Sequence, residues 1–152
     1  MEINESHPTV KAPAATFTGD AWFDVIVRGE APSRVRVNVV RFAPGARNAW
    51  HAHARGQTLH VTEGAGLVQS RGGPVTEIRP GDTVWTPPGE WHWHGATADR
   101  FMTHLAIWES PGDDGEPETE WGDLVTDAEY GARPEPGGGV IRGGQSGAGA
   151  AG

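Results

Sequence analysis

Short runs rich in valine, threonine and tryptophan fill the middle of this chain. Glycine or proline cuts off each run before it reaches helical length. No long stretch repeats its apolar residues at the helical period. With 23 glycines and 12 prolines among 152 residues, the chain turns often. That pattern implies an all-β sandwich or barrel, and the length implies one domain able to bury a core. Ser33 to Phe42 shows the pattern best: Val35, Val37 and Val39 face one way, and Arg36, Asn38, Val40 and Phe42 the other. Further strands are expected in FTGDAWFDVIV, QTLHVTEG, TVWTPP and RFMTHLAIWE, with GLVQSR pairing back on QTLHVTEG through a Glu63-Gly64 turn. TEWGDLVTDAEYGAR holds a short terminal helix, with Thr119 or Asp123 as its cap.

Residues 1–15 are polar and proline-bearing and read as an arm, either loose or lying against a partner subunit. The domain proper then runs over 16–131. Residues 132–152 are glycine-rich, almost free of core side chains, and expected to be disordered. The chain has no cysteine, so disulfides, thiolate metal sites and cysteine nucleophiles are excluded. This fits a reducing cytoplasm, the expected location. The net charge of −8, without a lysine or arginine cluster, argues against nucleic acid as a partner. The first residues lack the basic and apolar regions of a secretory signal, and no apolar run is long enough to span a membrane.

The chemistry concentrates in WHAHARGQTLH, Trp50 to His60. His51 and His53 share a strand face, with Cα atoms about 6–7 Å apart, a spacing at which two imidazoles can meet one ion. On a straight strand Gln57 would lie about 13 Å beyond His53. It can join them only if Ala54-Arg55-Gly56 bends, and Gly56 is a suitable hinge. A fourth ligand must come from elsewhere, and PPGEWHWHG offers His92 and His94, again at period two. His60 has the opposite parity to Gln57 and should point away.

The spacing Gly45-x5-His51-x-His53-x3-Gln57-x6-Gly64, followed by Gly81-x5-Pro87-x-Gly89-x2-His92, resembles the two motifs of the cupin superfamily. Gln57 stands where most cupins carry glutamate, and Ala96 stands where the second motif commonly ends in asparagine. The resemblance implies a single antiparallel barrel of jelly-roll type, usually dimeric or higher, with a divalent metal held by His51, His53, Gln57 and His92. PGARNAWHAHARGQTLHVTEGAG, PGDTVWTPPGEWHWHGA, MTHLAIWE and VTDAEY are similar to the small bacterial cupins described as manganese-dependent hydroxynitrile lyases. That likeness favours Mn(II), while Fe(II), Ni(II) and Zn(II) stay open for a donor set of imidazole and oxygen.

Three imidazoles and an amide leave the ion's charge uncompensated, which suits Lewis-acid chemistry on an anionic oxygen or cyanide. Met102, His104, Ala106 and Trp108 share one strand face. If it is inward, His104 projects into the pocket as the first candidate base, or else is a histidine hydrogen-bonded within the wall. His94 is a second proton carrier or lines the mouth. In the lyase-like cupins, alternate residues of the strand matching Arg36–Phe42 line the pocket, which implies Asn38 and Val40 with Trp108 opposite. Asn48 stands ready to hydrogen-bond substrate, and Trp108 either narrows the pocket or favours flat aromatic substrates. Three functions compete: a carbon–carbon lyase on cyanohydrins, an Fe(II)-dependent dioxygenase, and a non-catalytic binder of small molecules.

Overall fold

The computed structural model describes residues 1 and 3–132. The glycine-rich tail lies outside the described residues from 133 onward. In chain order the strands are β1 (Val10–Lys11), β2 (Phe17–Thr18), β3 (Ala21–Arg28), β4 (Val35–Phe42), β5 (Arg47–Asn48), β6 (His51–His53) and β7 (Gln57–Gly64). They continue with β8 (Gly66–Ser70), β9 (Thr76–Ile78), β10 (Thr83–Thr86), β11 (His92–Ala96), β12 (Met102–Glu109) and β13 (Thr119–Trp121), before a helix, α1 (Asp127–Tyr130).

Every pairing is antiparallel. One sheet runs β1-β3-β4-β12-β7-β10; the other runs β13-β6-β11-β5-β2, with β8 on the far edge of β11 and β9 beyond it. The two sheets curl toward each other as the all-β barrel that the sequence implies. Phe42, Leu59, Val61 and Met102 are fully buried in the core cluster, each contributing about 2 kcal/mol of burial. Alternation on β11 sends His92 and His94 inward and Trp93 outward. Trp93 there joins Trp50, Val75 and Val125 in a second cluster, against which Tyr130 packs.

Four expectations change in detail. GLVQSR does not pair back on QTLHVTEG. Only Ala65 separates β7 from β8, too little for a hairpin loop. Gly64 takes φ of 77°, and an added Cβ there would fall 1.8 Å from the Phe101 carbonyl oxygen, so the chain turns a tight corner and β8 joins the other sheet. The helix cap is Thr126, not Thr119 or Asp123. Glu129 stands three residues on, and each side chain bonds the other's backbone N–H, a reciprocal box that Asp123 cannot form. The run from Phe17 to Val27 is split at Gly19-Asp20 into β2 and β3, which belong to different sheets. The end of the arm joins the domain: Val10 and Lys11 pair with Phe23 and Trp22, and Ala12 is buried.

The bend between β6 and β7 forms at 54–56 with Gly56 at φ 78°. A Cβ at Gly56 would lie 2.6 Å from the Trp85 ring and 2.7 Å from the Thr86 carbonyl oxygen, so both conformation and space demand glycine. Gly56→Ala is expected to cost at least the 1–2 kcal/mol of a left-handed alanine, roughly, plus the clash. A urea midpoint within error of the parent would contradict this.

Candidate metal centre and cavity

β6 and β11 lie side by side with His51 opposite His92 in register, and period two brings His53 to the same face. The imidazoles of His51, His53 and His92 converge, their available nitrogens all within 4.8 Å of one another. The 54–56 bend then carries Gln57 over from the other sheet, and its Oε1 sits 2.9 Å from His92 Nε2.

The ring orientations bear on whether this set fits a cation. His51 Nδ1 donates to the Ala49 carbonyl at 2.9 Å and His92 Nδ1 to the Glu90 carbonyl at 3.0 Å. His53 Nδ1 is 3.1 Å from Thr119 Oγ1. With each Nδ1 engaged, the Nε2 lone pairs are left for the centre, the arrangement in which neighbours orient metal-binding imidazoles. Burial, joined by the charges of His92 and His53, pushes His51 well below the usual histidine range. Burial lowers His53 to about 4 and also lowers His92. All three rings are therefore neutral at neutral pH. A neutral His92 that donates through Nδ1 then points its Nε2 lone pair at the Gln57 amide oxygen. Two acceptors at 2.9 Å repel unless a positive charge lies among them. His53 Nε2 is likewise buried with no hydrogen-bond partner, a costly state for a polar atom. Both features fit a divalent cation held by His51, His53, Gln57 and His92.

Beside this set lies a cavity of about 370 Å³ between the sheets. Asn38, Val40, Asn48 and Trp108 all line it, together with His94. His104 does not. It is on the inward face of β12 as expected, but it sits fully buried behind His94, with its Nε2 3.1 Å from His94 Nδ1. The physical cause is packing: Phe42 and His94 lie against His104, at ring distances of 5.6 and 4.8 Å. Asn48 is committed to His94 rather than free. Its Oδ1 accepts the His94 backbone N–H at 2.9 Å, which fixes the amide so that Nδ2 donates to His94 Nε2 at 3.0 Å. In that network His94 Nε2 is an acceptor and its Nδ1 carries the proton toward His104. Burial, aided by the charges of His104 and His51, holds His94 well below its usual range, and burial lowers His104 to about 4. His60 points away from the centre and bonds Thr83.

Several residues at the site are not assigned to it by the sequence, Phe23 among them. Thr119, expected as a helix cap, orients His53. Phe17 and Trp121 add to the cavity wall. The period-two pair Thr119 and Trp121 was a strand signal, too short to stand out.

The chain is similar to known proteins along most of its length. The Cupin domain family matches residues 38–108. A protein named (R)-mandelonitrile lyase from Granulicella tundricola is 48% identical over 132 residues, covering 86% of this chain and 98% of the relative. The crystal structure of a cupin-like protein from Thermotoga maritima superposes with a TM-score of 0.73 at 37% identity, covering 86% of this chain and 95% of that one. A cupin-2 domain structure from Rhodospirillum rubrum, at 19% identity, gives a TM-score of 0.62 over 80% of this chain and 77% of that one and bears on fold alone.

Two measurements test the site. Thr119→Val removes the hydroxyl that orients His53 and is expected to weaken Mn(II) binding about tenfold or more in a calorimetric titration; unchanged affinity would remove Thr119 from the centre. In metal-free protein, the folded His104 value near 4 lies below the ordinary 6.5. Unfolding therefore takes up a proton between those values, and stability present above pH 6.5 is lost as pH falls toward 4. The loss attributable to His104 is at most on the order of 3 kcal/mol. His104→Asn should make the melting temperature fall less steeply over that window, and an equal slope in parent and variant would count against it.

Proposed function

The chain belongs to the cupin superfamily, and on that footing we propose that it is a metal-dependent carbon–carbon lyase of the hydroxynitrile lyase type. It cleaves a cyanohydrin into an aldehyde or ketone and HCN, and it runs the addition in reverse. The observation that carries this reading is the joining of a wholly neutral donor set to a neutral histidine, His94, that faces the same cavity. The 48% identity to a mandelonitrile lyase supports it.

A divalent cation held by His51, His53, Gln57 and His92, Mn(II) in first place and Fe(II), Ni(II) or Zn(II) as alternatives, supplies Lewis-acid polarisation of the substrate oxygen when bound. His94 Nε2 is the proton acceptor. Its lone pair is already engaged by the Asn48 amide, so a substrate hydroxyl that takes that place meets an oriented base. The hydroxyl proton passes to Nε2, the C–CN bond breaks, and its electron pair leaves with cyanide as the carbonyl forms. His94 returns the proton to cyanide, which departs as HCN. His104, behind His94, accepts from His94 Nδ1 and so holds the ring in the tautomer that leaves Nε2 free to accept. His104 is thereby a positioning residue, and His94 takes the role of base that the sequence assigned to His104 first. Asn38, Val40 and Trp108 shape the wall around the substrate carbon. The expected homodimer or higher homo-oligomer and the cytoplasmic location belong to the same proposal.

The test is cyanide release from mandelonitrile by Mn(II)-loaded protein. His94→Ala is expected to lower kcat by about a hundredfold to ten-thousandfold, the range for a lost general base. No cyanide release by the loaded parent would sink the lyase, and oxygen uptake with Fe(II) would favour the dioxygenase in its place.

A further inference from the structure

β13 is a three-residue strand at the edge of its sheet, and it pairs along the whole of β6: Thr119 with His53, Glu120 with Ala52, Trp121 with His51. Alternation turns Thr119 and Trp121 toward the cavity and Glu120 to solvent. Thr119 meets His53 by its hydroxyl, and the Trp121 ring lies over His51 at 4.9 Å and 30°. The strand that steadies two of the expected metal ligands thus also puts an indole beside them.

The cavity is graded from end to end. At its closed end Asn48 and His94 are 2–3% exposed. At the other end Trp121 is 43% exposed, with the Phe17 ring at 6.1 Å and Phe23 in the same wall. A tryptophan left this open beside a buried polar cluster is surface that a guest can cover. A substituent on the reacting carbon sits one bond from that carbon, so its subsite must adjoin the metal ligands, as Trp121 does through His51. The ring surfaces of Trp121 and Phe17 suit a flat apolar substituent, for which tilted ring contacts add to burial.

We propose that Trp121, with Phe17 and Phe23, forms a subsite for an aryl substituent on the substrate, so that Trp121 determines the preference for aromatic over small aliphatic cyanohydrins. The substrate class rests on the lyase reading; the aryl subsite itself does not. Phe17 comes from β2 and Trp121 from β13, two strands at opposite ends of the second sheet's path, so the folded barrel alone assembles the subsite.

The experiment compares Trp121→Ala, Trp121→Leu and Trp121→Phe with the parent, each loaded with Mn(II) and its metal content measured. The first readout is the ratio of kcat/KM for mandelonitrile to that for acetone cyanohydrin. The second is the Kd for benzyl alcohol, which carries the ring but no nitrile. Trp121→Ala and Trp121→Leu are expected to lower the ratio and weaken benzyl alcohol about tenfold each, in line with what apolar pocket contacts discriminate. Trp121→Phe should restore most of both. An equal fall for both substrates, leaving the ratio unchanged, would mean a merely structural role and overturn the proposal. If neither cyanohydrin releases cyanide, the lyase reading fails, and benzyl alcohol still decides the subsite. A Kd unchanged in Trp121→Leu overturns it, and a tenfold weakening sustains it.

Discussion

The register of β6 against β11 is the constraint on which the rest depends. His51 and His92 are direct antiparallel partners, and period two places His53 and His94 on the same inward face. A slip of one residue would turn one strand's two imidazoles outward, bringing Ala52 in if β6 slipped and Trp93 in if β11 did. Trp93 cannot make that exchange, since it fills the second core cluster and bonds Gln69 at 2.7 Å. The outer core beneath α1 thereby locks the register that the inner site requires. A large apolar residue between two histidines thus helps to build the candidate metal centre without touching it.

Burying so many polar rings is costly, and the chain offsets the cost by local hydrogen bonds. His51 and His92 each donate to the carbonyl two residues before them, a contact that the segment leading into each strand provides. His94 is held by Asn48 on one side and His104 on the other. Each such bond contributes about 1 kcal/mol net, while an unmade one costs about 1–3 kcal/mol. Among the described residues three buried side-chain atoms keep no partner: His53 Nε2 stands with the facing acceptors of Gln57 and His92 where a cation's ligands would be, while His104 Nδ1 and Trp108 Nε1 are orphaned outside that ligand set. A cation bound among the ligands would relieve the first of these and the facing acceptors.

Much of this was legible in the sequence because it is local. Parity alone put His51 and His53 together and turned His60 away. The distance problem at Gln57 demanded a bend, and the one glycine available for it, Gly56, takes the positive φ. What was not legible is relational. Whether His104 reaches the cavity depends on which rings stand in front of it, and Phe42 and His94 do. Whether GLVQSR pairs back on QTLHVTEG depends on a corner at Gly64 and a partner, β11, that comes later in the chain. Thr119 and Trp121 gain their meaning only from pairing with β6 across more than sixty intervening residues. Their three-residue strand is too short for any periodicity to announce it.

Gln57 separates this centre from one that carries a glutamate at the same place. A carboxylate would cancel one of a divalent cation's two charges, leaving +1; the amide leaves +2. At fixed geometry the Coulomb attraction for a developing anion then doubles. Of the carboxylates nearby, Glu118 is paired with Arg36 at 2.7 Å, and Glu90, hydrogen-bonded by Ser70, acts on His92 from outside the ligand set. The burial that keeps the imidazoles neutral also limits screening by solvent and salt. The exchange of one acid for its amide thus raises the site's pull on negative charge without altering its shape. A site so arranged favours reactions in which negative charge forms on oxygen or leaves as an anion. Cyanohydrin cleavage, the proposed reaction, does both, and its proposed base, His94, lies on the wall of the same cavity.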